Sequence, residues 1–177
     1  MNEVFGLPAH PFLVHMPVVL LPLALVGVLL CLVIPKWRAA LIYPTAILGI
    51  VGSIGAILAS QSGEWLQQRV RETQLVSDHQ ELGEMARNFS ILFAGALFVW
   101  ALREIVVTKE KFKGTFLETL VSPKWIGTLA TIGVVLFGGL TTAWVIQAGH
   151  TGAKAAWKGK LLPPQTKGDD GSEGSGG

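Results

Sequence analysis

The sequence predicts an all-α protein, an integral membrane four-helix bundle with a histidine cluster at one end. Half of the 177 residues are hydrophobic, only 15% are charged, and the mean hydropathy is +0.51. A soluble domain of this length cannot bury so much apolar surface. Four apolar runs are long enough to cross a bilayer, which takes about 20 helical residues. The histidines lie beside the ends of these runs.

The first predicted span covers residues 12–34. The segment before it contains no lysine or arginine, and it therefore lacks the basic region of a signal peptide. We expect this run to be retained as a membrane helix. Pro17 falls near the first turn, where a missing N–H is tolerated, and Pro22 is expected to kink the helix.

The second predicted span covers residues 39–61 and is rich in small side chains. Small residues four positions apart let two membrane helices approach closely. We therefore expect this span to pack at the centre of the bundle. The spaced pairs are Gly49/Ser53, Gly52/Ala56 and Gly55/Ala59.

The third and fourth predicted spans cover residues 80–107 and 124–147. Ser77 is the expected N-cap of the third helix. Ser122 is the expected N-cap of the fourth helix, with Pro123 at its first position. The four spans form one domain, residues 1–162. The tail that follows, residues 163–177, is rich in Pro, Gly, Asp and Ser and is predicted to be disordered.

An even number of spans returns the chain to the side from which it started. Both termini and all four histidines are therefore expected at one end of the bundle, the histidine end: His10, His15, His79 and His150. The short loops at the opposite end, residues 35–38 and 103–124, are rich in lysine and arginine. Such loops favour the cytoplasmic side, which would place the histidine end outside the cytoplasm.

Neutral imidazole is the commonest protein ligand of metals and haem iron. His15 and His79 are predicted to face each other across the bundle, as axial ligands or metal ligands would. His10 precedes Pro11, which favours an extended backbone. We therefore expect His10 to lie on the entry segment and not on the helix. His10 and His150 are assigned to contacts with the ligand histidines or to another centre.

Four charged residues are expected to assist the histidines, by orienting the imidazoles or meeting haem propionates. They lie near the histidine end in the predicted topology: Glu64, Asp78, Glu81 and Arg87. Side chains of this kind orient metal-binding imidazoles, and Arg87 suits a haem propionate.

Several stretches resemble the bacterial four-helix membrane proteins catalogued as domain of unknown function 2231. They are His10-Pro11-Phe12-Leu13-Val14-His15-Met16-Pro17, Ser62-Gly63-Glu64, His79 and Gly149-His150-Thr151-Gly152-Ala153. The likeness extends over about residues 7–158. Some relatives look fused to c-type cytochrome or Rieske domains. The resemblance therefore implies the bacterial inner membrane and a periplasmic redox partner of one of these kinds.

Three functions are left open by the sequence. The first is a redox subunit that binds haem b through histidines and takes part in electron transfer. The second is a histidine-rich copper or zinc protein. The third is a cofactor-free structural subunit of a membrane complex, which allows for an oligomer. Membrane lipid is the expected surrounding partner, and there is no basic patch with interleaved aromatics to indicate nucleic acid. Neither a GxSxG nor an HExxH motif is present, which argues against a hydrolase. Whether the protein is an enzyme of another class stays open.

Overall fold

A computed structural model describes residues 3–158, in which four long helices pack side by side as a bundle. A two-stranded hairpin, β1 and β2, precedes the helices, and a 3₁₀ turn at Glu110–Phe112 lies between α4 and α5. The elements are β1 (Glu3–Val4), β2 (Leu7–Pro8), α1 (His10–Leu13), α2 (His15–Val33), α3 (Pro35–Gln67), α4 (Gln74–Thr108), α5 (Phe116–Val121) and α6 (Lys124–Trp157).

Four helical segments are long and apolar enough to cross a membrane, with α1 and α2 together forming the first. Their outward faces carry many exposed large apolar side chains, such as Val19, Ile47, Phe98 and Ile132. An apolar surface of this extent suits lipid and not water. The predicted fold class, an all-α membrane bundle of four helices, is confirmed.

Several helix ends differ from the predicted ones. The third span begins at Gln74, because the hydroxyl of Thr73, and not that of Ser77, accepts a hydrogen bond from the Val76 N–H (3.3 Å). Pro123 is itself the N-cap of α6. This helix continues to Trp157, well beyond the predicted end. The predicted tail, residues 163–177, lies outside the described residues.

The bundle is a closed ring of four helices. The first membrane helix, α2, packs against α3, α3 against α4, α4 against α6, and α6 against α2. The starts of α1 and α4 therefore meet the ends of α3 and α6 at the histidine end.

Small residues in α3 allow its neighbours to approach. A Cβ atom added at Gly52 would lie 3.0 Å from the Leu21 side chain of α2, and one added at Gly55 would lie 2.6 Å from Met16. On its other side, Gly49 faces Leu97 of α4. The glycines of α3 thus allow side chains of α2 and α4 to pack directly against its backbone at the centre of the bundle.

Replacing Gly52 with Leu is expected to lower the free energy of unfolding in detergent by about 1–3 kcal/mol, because the new side chain overpacks the α2–α3 contact. Gly139→Leu in α6 is the matched control, since a Cβ atom there meets nothing within 4 Å. Thermal or denaturant unfolding measures both variants. Equal stability of the two would contradict the close α2–α3 packing.

Candidate functional site: a histidine pair at the end of the bundle

His10 and His79 form a pair at the histidine end. Their ring centroids lie 5.9 Å apart with an angle of 77° between the ring planes, an edge-to-face arrangement. His10 is the first residue of α1, and His79 lies in the second turn of α4. Both side chains are half-buried. Two imidazoles from different membrane helices therefore share one small region.

Each ring of the pair is held by a backbone carbonyl of another helix. The Nδ1 of His10 lies 2.8 Å from the Ala59 carbonyl oxygen in α3, and the Nδ1 of His79 lies 2.9 Å from the Ala148 carbonyl oxygen in α6. A carbonyl only accepts, so Nδ1 is the nitrogen that carries the hydrogen in both rings. The lone pair of each neutral imidazole is then on Nε2, which has no hydrogen-bond partner among residues 3–158.

The two carbonyls have similar local surroundings. Ala59 also accepts a hydrogen bond from the Ser62 hydroxyl (2.9 Å), and the Thr151 hydroxyl lies 3.1 Å from the carbonyl oxygens of both Gln147 and Ala148. One residue further along each helix is a glycine. A Cβ atom at Gly63 would lie 3.0 Å from the His10 ring.

The glycine of α6 plays the same part for the second ring. A Cβ atom at Gly152 would lie 2.8 Å from the His79 ring. Each imidazole thus lies directly on a helix surface that has no side chain at the point of contact. The sequence A-x-x-[ST]-G is present as residues 59–63 and 148–152. Its alanine carbonyl accepts the hydrogen bond of one histidine, and its glycine leaves room for that ring.

These matching parts belong to a repeat that we infer between residues 10–63 and residues 79–152. The pattern H-x-x-L-x-x-M occurs in residues 10–16 and again in residues 79–85. In the register that aligns His10 with His79, the five buried residues of α2 coincide with buried residues of α4. They are Pro17/Ala86, Leu21/Ser90, Ala24/Phe93, Val28/Leu97 and Cys31/Trp100.

The second helix of each half matches in part. In the register that aligns Ala59 with Ala148, five of the ten buried residues of α3 coincide with buried residues of α6: Thr45/Val134, Gly49/Gly138, Gly52/Thr141, Ala56/Val145 and Ala59/Ala148. The other five do not coincide: Ile42, Ala46, Ser53, Gly55 and Ser62. We interpret the bundle as two similar helical hairpins that run in the same direction, in which His10 and His79 occupy corresponding positions.

The other two histidines lie apart from this pair. His15 is exposed, and its Nδ1 is 3.3 Å from the Phe12 carbonyl oxygen of its own segment. His150 is also exposed. The structure therefore brings His10, and not His15, to His79. Pro11 does not keep His10 extended, because it lies in the first turn of α1, where proline is accepted. Five helical residues then turn His15 about 140° away from His10.

Arg87 and Glu64 contact each other and not the histidine rings. The Arg87 guanidinium donates to the Ser60 hydroxyl (2.9 Å) and lies 3.7 Å from the Glu64 carboxylate, so it joins α4 to α3. Neither residue is hydrogen-bonded to a described histidine ring. The orienting role that we expected of these side chains belongs to the carbonyls of Ala59 and Ala148.

This arrangement is suited to binding a metal through two imidazoles. Histidines that bind metals commonly donate the other ring N–H to a carbonyl or carboxylate, which fixes the tautomer and the ring orientation. The centroid distance of 5.9 Å with nearly perpendicular ring planes is that of an edge-to-face contact between the rings. A shared ion would need both Nε2 atoms turned towards it. Residues 3–158 contain no group of three or more His, Cys, Asp or Glu arranged to bind a metal, so this pair offers two protein ligands.

Comparison with known proteins identifies one family. The family model described as "Predicted membrane protein (DUF2231)" matches residues 6–162, a range that includes both halves of the repeat. No curated protein and no solved structure matches the sequence.

Replacing Gly152 with Ala is expected to push the His79 ring away from the Ala148 carbonyl, and to destabilise the protein by about 1–3 kcal/mol relative to Gly149→Ala. Gly149 lies in the same helix, and a Cβ atom there meets nothing within 4 Å. Both changes gain the same helix propensity, so their difference isolates the contact with the ring. Unfolding in detergent measures it, and equal stabilities would show that the ring does not lie on Gly152.

Proposed function

The chain belongs to the DUF2231 family of predicted membrane proteins, and we propose that it is a membrane redox subunit whose metal centre is bound by His10 and His79. Haem b iron is the first candidate for this centre. The observation that carries the proposal is the pair of imidazoles on separate helices, each with Nδ1 bonded to a carbonyl and Nε2 free of described partners.

The donor chemistry supports this proposal in two ways. An imidazole whose N–H is hydrogen-bonded to a carbonyl is a more basic ligand at its other nitrogen. The bond also fixes the direction of the ring before anything binds, so little side-chain entropy remains to be lost. Haem iron is bound in many proteins by histidines of this kind, and it supplies the exchange of one electron.

The chain's own residues provide the setting for such a centre. Ala59 and Ala148 hold the rings in place, and the glycines at positions 63 and 152 leave room for them. The pair lies at an end of the bundle and not at its middle, which suits electron exchange with a partner outside the membrane. We propose that this end faces the periplasm of a bacterial inner membrane, and that the partner is a c-type cytochrome or Rieske protein.

A single copper ion is the second candidate centre. Zinc in structural sites takes four protein ligands and in catalytic sites three, whereas the described residues offer a pair at this position. Imidazole also suits copper, and one ion between two rings needs far less room than a porphyrin.

Four single variants test the proposal. His10→Ala and His79→Ala are each expected to lower the bound haem or copper per protein by about tenfold or more, because each removes one of two ligands. His15→Ala and His150→Ala are the matched controls and are expected to retain the centre. Absorbance in the Soret region measures haem in the purified protein, and elemental analysis measures copper.

Circular dichroism distinguishes lost ligation from lost folding, since a folded His79→Ala variant retains the helical signal. Bound haem or metal that is unchanged in both His10→Ala and His79→Ala would rule out this ligand pair. Unmodified protein that contains neither group after expression with haem precursor and copper would favour the cofactor-free subunit.

A further inference from the structure

At the end of the bundle opposite the histidines, a cleft of about 340 Å³ opens between α3, α4 and α6. We propose that this basic cleft binds a phosphate group, as carried by the headgroup of an anionic phospholipid. The residues that line it are Arg38, Arg103, Lys124, Gly127, Thr128, Thr131 and Ile132.

The charges around the basic cleft are not balanced. Arg38 forms an ion pair with Glu104 at 3.2 Å and lies over the Trp100 ring. Within residues 3–158, neither Arg103 nor Lys124 has a carboxylate within ion-pair distance. Two cations therefore face the cleft without a described counter-charge, and an anion is the complementary ligand.

The Arg103 guanidinium has a hydrogen-bond donor without an acceptor among the described residues. Its Nε is buried and has no partner among the described residues, and its Nη2 reaches the Ser122 carbonyl only at 3.4 Å. The guanidinium lies against α6 at Gly127, where an added Cβ atom would be 2.8 Å from its Cζ. A buried, charged donor without an acceptor is costly, and a phosphate in the cleft that Arg103 lines would supply the counter-charge that the guanidinium lacks.

The start of α6 adds to the positive potential. This helix begins at Lys124, and Pro123 at its N-cap supplies no side-chain hydrogen bond. The first amide groups of a long helix favour an anion. The hydroxyls of Thr128 and Thr131 donate to carbonyls of their own helix, so the guanidinium, the ammonium group and the helix start are the donors for a ligand.

A lipid explains the position of the basic cleft better than a free anion does. Ile132 lines the cleft and belongs to an exposed apolar stripe of α6 at helical spacing, with Trp125, Leu129 and Leu136. A phosphate in the cleft would place an acyl chain along this stripe, on the surface that faces the bilayer. Basic pockets between membrane helices bind anionic headgroups in this way.

Native mass spectrometry of the detergent-purified protein tests the proposal, with phosphatidylglycerol and phosphatidylcholine as probes. We expect phosphatidylglycerol to bind in preference. The double variant Arg103→Gln/Lys124→Gln is expected to bind it about tenfold more weakly, because two charge-assisted contacts are lost. Lys109→Gln/Lys111→Gln removes the same charge from the same end of the protein outside the cleft, and should bind as the unmodified protein does.

A further variant separates position from charge. Gly127→Ala retains every cation but displaces the Arg103 guanidinium, and is expected to weaken binding several-fold. Equal binding of the two lipids, or an equal loss in the control double variant, would overturn the proposal. Unchanged binding by Gly127→Ala and by the cleft double variant would do so as well. Displacement of the lipid by millimolar inorganic phosphate would show that the cleft takes the free anion and would overturn the headgroup assignment.

Discussion

The hydrogen bonds from His10 and His79 to the carbonyls of Ala59 and Ala148 determine the arrangement of the histidine end. Each bond joins the start of one helix to the end of the next membrane helix in the same hairpin. The carbonyl lies in the last turns of its helix, where it already accepts the helix hydrogen bond and one from a neighbouring hydroxyl, so the imidazole N–H is a further donor to the same oxygen. Because both rings are held in this way, the pair needs no acidic side chain to orient it.

The internal repeat explains why there is one pair and not two separate sites. Equivalent residues of two parallel hairpins approach each other at the pseudo-twofold axis, as in other membrane proteins with parallel repeats. The repeat is not strict at the histidine end. In the alignment, Val18 corresponds to Arg87, and Gly149 and Ala153 correspond to Ser60 and Glu64. The ion pair that joins α4 to α3 thus has no counterpart in the other half.

Hydropathy and length predicted the four spans, because lipid requires long apolar helices whatever their partners are. The even number of spans brought the histidines to one end. Which histidine meets His79 could not be predicted in the same way. It depends on the direction of each side chain around the helix axis, and this follows from the α1 helix, which includes Pro11 in its first turn. The carbonyls of Ala59 and Ala148 have no side-chain signature and were not predicted. The repeated A-x-x-[ST]-G and H-x-x-L-x-x-M patterns are the sequence signal that could have located them.

His10 and His79 lie against each other at the end of the bundle, with both Nδ1–H groups bonded to helix carbonyls. Solid-state ¹⁵N NMR of the metal-free protein in lipid bilayers, with labelled histidine, tests this arrangement. We expect neutral His10 and His79 to carry their hydrogen on Nδ1, and a through-space signal to connect the two rings. This signal should be lost in His10→Ala but retained in His15→Ala. A hydrogen on Nε2 in both rings, or a ring contact between His79 and His15, would contradict it.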